Sequence, residues 1–151
     1  MAYESVATIL ERTSSTTIAD WYEHALLDAR LMSVSMTREL RCAHLPQLFR
    51  DLVFRLRSAT IPGTKELFSE DAAEHGIARR RQGYSAAMMV EESRILQVCI
   101  FKSLHENLDY IAFPLLLPDV MTIANEVDAQ LGRAVACYVE ESRNDVQQNA
   151  C

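Results

Sequence analysis

Four leucines and a histidine return every four residues between positions 40 and 56. Leu40, His44, Leu48, Leu52 and Leu56 mark one stripe, widened by Leu45, Phe49 and Val53. That is the period of an amphipathic helix. It predicts a helix from near Thr37, capped there or at Ser35, to about Ala59. Pro46 falls inside the pattern and predicts a kink or a helix restart. Upstream, a short helix is expected over about Tyr3 to Arg12, ended by the hydroxyl run Thr13-Ser14-Ser15-Thr16-Thr17, whose side chains compete with the backbone and make good caps. A second helix then runs to about Arg30, with Ile18, Trp21, Tyr22, Ala25 and Ala29 on one face. Ile61-Pro62-Gly63-Thr64 reads as a turn. A fourth helix starts at Lys65 or Ser69 and runs to Gln82, where Gly83 is a natural left-handed stop. Ser85 caps a fifth helix to about Asn107. Its second half, Ile95 to Phe101, is apolar on nearly every side except Gln97, which suits the centre of a fold. The sixth helix is expected after Pro118, as far as Arg143, with Val120, Ile123, Val127, Leu131, Ala134, Val135 and Tyr138 along its stripe.

No segment alternates with the period of a strand, and Gly 4 and Pro 4 are too few for a turn-rich β fold. The expectation is an all-α bundle of about six helices with a long central fifth helix, one domain over residues 1–143 and a polar tail over 144–151. Length suffices for a core without disulfides. The net charge of −6 gives no electrostatic footprint for nucleic acid. No apolar run approaches the ~20 residues that span a bilayer, and no signal peptide opens the chain. Cys42, Cys99 and Cys137 sit among apolar neighbours without a C-x-x-C pair, as reduced thiols of a cytoplasmic protein do, and Cys151 is expected to be mobile.

Enzyme signatures are missing. There is no Gly-rich phosphate loop, G-x-S-x-G elbow, H-E-x-x-H pair or Glu-x-x-His pair, so no catalysis, cofactor or metal is expected. Of the histidines, His44 on the apolar stripe is the best placed for a haem ligand, with His105 a weaker alternative on the polar side of the fifth helix. A core-edge imidazole bonded to a carbonyl is the simpler reading of His44. Glu92 is more telling. At about 100° per residue it falls between Met88, Ile95, Leu96 and Cys99, so its carboxylate needs a partner. Arg80 shares the small-residue face of the fourth helix with Ala72, Ala73 and Gly76, and is the expected partner across the helical hairpin, with Arg79 as second choice. Arg79, Arg80 and Arg81 diverge around their helix and cannot converge on one phosphate. The apolar connector Ile111 to Pro118 is either packed under the domain, the simpler reading, or part of an interface.

The sixth helix carries more apolar surface than one stripe needs. With Leu131, Val135 and Tyr138 turned inward, Ala134, Cys137 and Val139 remain, and Gly132 and Ala136 permit close approach of another helix. A homodimer through this face is the expectation.

The stretch His75-Gly76-x-x-Arg79-Arg80-x-Gln82-Gly83-Tyr84-Ser85, followed by Met89-Val90-x-Glu92-x-Arg94-x-Leu96, resembles the N-terminal domain of RsbR-type stressosome co-antagonists, which also heads many bacterial histidine kinases. His44-Leu45-Pro46-x-Leu48 and Trp21 fit in the same order. The resemblance spans Ile18 to Asn107, with Gln97 and Ser93 as departures. It implies a haem-free, globin-like, dimeric signal-input domain that acts through its last helix on an output module, and it brings no catalytic residues. The alternative is a cofactor-binding globin-type sensor with His44 or His105 as ligand.

Overall fold

A computed structural model describes residues 2–58 and 69–150. The predicted turn Ile61 to Thr64, the Lys65 helix start and the expected mobility of Cys151 lie outside the described residues. Within them the fold is all-α, with no strand and one isolated bridge between Glu4 and Ile111. No described helix is long and apolar enough to cross a membrane.

Helix α1 spans Val6–Leu26 without the expected break. Three hydroxyls of the polar run, those of Thr13, Ser14 and Thr17, bond back to carbonyls of the same helix instead. Thr13 donates to the Ile9 carbonyl at 2.7 Å and Thr17 to that of Thr13 at 3.0 Å. Continuity places Val6, Ile9, Leu10, Trp21 and Ala25 on one buried face, and that burial outweighs the local preference for a cap. The chain then makes α2 (Ala29–Met32), which Asp28 caps, and α3 (Arg38–Cys42), which Thr37 caps. Helix α4 (Leu45–Arg57) restarts with Pro46 in its first turn, where the missing N–H costs nothing. The separation of α3 from α4 leaves Leu40 exposed, off the stripe it was expected to join.

Ser69 caps α5 (Glu70–Arg81), Gly83 at φ 92° stops it, and Ser85 caps α6 (Ala86–Glu106). Helix α6 buries Glu92, Ile95, Leu96, Cys99 and Ile100, though Val98 is exposed, so it is not covered on every side. A 3-10 turn (Leu108–Tyr110) leads to α7 (Phe113–Asn149), 37 residues long. Two expectations fail here. The apolar connector is the start of α7, entered at Pro114, with Pro118 inside the helix, and its Phe113 (81%), Leu115 and Leu117 are exposed rather than packed under the domain. The polar tail from Asn144 is helical as far as Asn149.

Helix α1 packs on α4 and α6, while α7 packs on α4, α5 and α6. The small face of α5 lies on α7 rather than closing a hairpin on α6. A Cβ placed on Gly76 would stand 2.0 Å from the Ala134 carbonyl oxygen, so these two backbones touch. Cys137, expected on the dimer face, is buried with Ala134, because the side of α7 that meets α5 includes them. Gly132, Ala136 and Val139 (41%) are exposed.

Candidate functional site

Helices α4, α5, α6 and α7 form most of the walls of a partly open cavity of about 330 Å³. Its walls are largely apolar: Leu48, Ala72, Met89, Leu96, Val127 and Leu131. Polar groups gather at one side, brought there by three elements. His44 comes from the N-cap position of α4, His75 and Arg79 from successive turns of α5, and Glu92 from α6.

Glu92 pairs with Arg79, the second choice of the sequence reading, in a two-pronged contact. Arg79 Nη2 lies 2.9 Å from Oε1, and Nε donates to Oε2 at 3.1 Å. Both residues are buried, at 1% and 3% exposure. Arg80 fails as the partner because α5 presents that side to α7, where it meets Asp145 at 3.3 Å and lies over the Tyr138 ring. Arg81 reaches Glu141 at 3.0 Å. The remaining Arg79 donors are satisfied by the Arg41 carbonyl and by Gln82 Oε1, both at 2.7 Å, and its guanidinium lies over the Tyr84 ring. Arg41 is itself buried and donates to the Tyr84 hydroxyl at 2.6 Å and to the carbonyls of Leu31 and Val34. The outcome is one connected polar network, the arrangement that makes buried charge tolerable.

His44 and His75 stack face to face, their ring centroids 3.7 Å apart and their planes 17° from parallel. His75 Nε2 lies 3.7 Å from Glu92 Oε2. Trp21 meets His44 edge-on at 6.1 Å and donates from Nε1 to the Glu92 carbonyl at 3.1 Å. Nδ1 of His44 is buried and has no hydrogen-bond partner among the described residues, so the expected bond to a backbone carbonyl is not made through that nitrogen. Burial, and then the nearby His75 and Arg79, push the His44 imidazole well below its ordinary 6.5. Burial lowers His75 as well, against the pull of Glu92. Both rings are therefore neutral near pH 7, as close stacking requires. For Glu92, burial opposes ionisation, yet His75 and the Arg79 charge outweigh it and hold the carboxyl below its usual range.

His105 is exposed near the end of α6 and takes no part in the cavity. A second cluster, Asp20, His24 and Cys99, sits between α1 and α6. Burial raises its thiol to about 11, which leaves it protonated and unreactive. Sequence reasoning gave His75 no role in a site and did not single out Arg41. His75 stands on a helix with little apolar periodicity, and Arg41 on a helix of five residues, so neither carries a local signal. Two stacked imidazoles and a carboxylate can donate or accept hydrogen bonds to a guest in the cavity, or supply lone pairs to a cation.

No family model, curated protein or solved structure matches this chain.

Proposed function

We propose that the chain is a signal-input domain of a bacterial histidine kinase or stressosome-like protein. It takes a small, mainly apolar guest into the cavity and relays occupancy along α7 to an output module. The single observation carrying this reading is that α7 forms one wall of the cavity, through Val127, Gln130, Leu131 and Ala134, and then continues to Asn149. A guest that presses on that wall displaces the helix that leads out of the domain, and small helix shifts are an established way to pass a signal. The sequence resemblance supports the same assignment, with a globin-like fold, no haem, no catalytic residues in this domain, a cytoplasmic setting and a homodimer.

The test is a fusion of α7, in helical register, to the phosphotransfer and catalytic regions of a histidine kinase. Cavity-filling changes at Ser93 or Leu131 to Trp are expected to change autophosphorylation at least twofold. One added residue at the junction, which turns the helix by about 100°, is expected to abolish the response. Autophosphorylation indifferent to both would overturn the reading.

His44 on the cavity wall favours a second reading, a cofactor-binding globin-type sensor with His44 as axial ligand. An intense Soret band in the purified protein, lost in His44→Ala, would establish it in place of the first.

A further inference from the structure

We infer that His44, His75 and Glu92 form a binding site for a divalent transition metal of the zinc type, held at the polar end of the cavity. The inference rests on the reading of the cavity as an input site and adds to it a metal ion beside the space for the apolar guest.

Geometry carries the argument. One ligand atom from each of the three residues lies within 4.8 Å of the others. Two donors on one tetrahedral zinc ion stand about 3.4 Å apart, given metal–ligand bonds near 2.1 Å. The His75 Nε2 to Glu92 Oε2 separation of 3.7 Å is already close to that. The other gaps close when the two imidazoles turn out of their near-parallel stack, so that each ring points a nitrogen in its own plane at the ion. The unpartnered Nδ1 shows that the His44 ring is not committed to the protein on that side.

The donor set selects the metal. Two imidazoles and one carboxylate, without a thiolate, suit zinc, cobalt or nickel, whereas magnesium and calcium prefer oxygen donors throughout. Arg79 is the opposing charge, but the Arg41 carbonyl, Gln82 and the Tyr84 ring hold it in place independently. Its Nη2 lies on Oε1 and its Nε donates to Oε2, which keeps a second lone pair for the metal, so it orients the carboxylate as outer-shell partners of metal ligands do. Asp71 and Glu74 on the cavity wall add negative charge beside the incoming cation. Three protein ligands leave a fourth position open towards the apolar part of the cavity, where water or a small guest completes the shell.

The experiment is calorimetric titration of the reduced full chain with zinc chloride, for the wild type and for His44→Phe, His75→Phe and His24→Ala. Phenylalanine retains an aromatic ring in the stack. One equivalent is expected to bind at submicromolar concentration, about 100-fold or more weaker in either Phe variant and unchanged in His24→Ala. Nickel supplies a second measurement that needs no variant. Bound between His44 and His75, it quenches the fluorescence of Trp21, the only tryptophan of the chain, saturably and at one equivalent. Binding that survives both Phe changes, binding lost in His24→Ala (which places the metal at Cys99), or nickel that leaves Trp21 unquenched would overturn the site. None of these outcomes bears on the kinase-fusion test, which involves no metal.

Discussion

Arg79 and Glu92, thirteen residues apart on two helices, meet as a buried ion pair whose unused donors are all taken up by neighbouring groups. Removing one member strands the other charge away from water, which typically costs about 3–5 kcal/mol. Glu92→Ala and Arg79→Ala are therefore expected to lower stability severely. Glu91→Ala, whose Arg94 partner is exposed, changes it by less than about 1 kcal/mol. Chemical denaturation of the three variants decides this, and equal small losses would contradict it.

Gly76 tests the contact between α5 and α7. Its added Cβ would overlap backbone atoms of Ala134, which no side-chain rotation can relieve. Gly76→Ala should destabilise by about 1–3 kcal/mol. Gly132 lies on the same α7 helix with nothing near its missing Cβ. Gly132→Ala should stabilise the monomer by about 0.5–1 kcal/mol, because alanine is the better helix former. Opposite signs in thermal denaturation are the expected outcome.

The imidazole pair sets a pH dependence in the metal-free protein. His44 and His75 titrate below 6.5 when folded and near 6.5 when unfolded, so below that pH the unfolded chain takes up protons the folded one refuses. Their neutral burial is fully compatible with folding above pH 6.5, and stability is lost as pH falls from there through the folded values. Each pKa unit of lowering corresponds to about 1.4 kcal/mol. Glu92, held low, adds a further loss beginning near its ordinary 4.5. The melting temperature should fall between about pH 7 and pH 5.5, less steeply in His44→Phe. A flat profile over that interval in the wild type would contradict the burial of neutral rings.

A homodimer remains the expectation for the exposed side of α7, now without Cys137. Light scattering should report twice 17.1 kDa, and Ala136→Glu or Val139→Glu should halve it. Cys137→Glu, by contrast, should unfold the chain, since it would place a carboxylate among buried side chains.

Local chemistry located several helix ends. Thr37, Ser69 and Ser85 cap through their own hydroxyls, and Gly83 takes the left-handed conformation its place after α5 required. In α1 the burial of one continuous face overrode the local signal. The hydroxyls of Thr13 and Thr17 had backbone carbonyls four residues back to bond, and Pro118 was carried inside α7. Helical periodicity also put Glu92 inside the fold. It could not choose between Arg79 and Arg80, because their side chains differ by about 100° and the choice depends on which neighbour α5 lies against. The His44–His75 stack joins residues from two helices of unrelated phase, a distance relation that no single-helix pattern encodes.

Backbone contact at Gly76 and Ala134 makes a fulcrum of that point on α7. The two helices cannot come closer there, so the motion left to α7 is rotation about the crossing. At 1.5 Å per residue, a turn of about 10° would swing Asn149 by about 4 Å one way and Phe113 by about 5 Å the other. The long arm of this lever carries the exposed Phe113, Leu115 and Leu117. The short arm is tethered to α5 by Arg80–Asp145 and Arg81–Glu141, which act as stays that set its rest position.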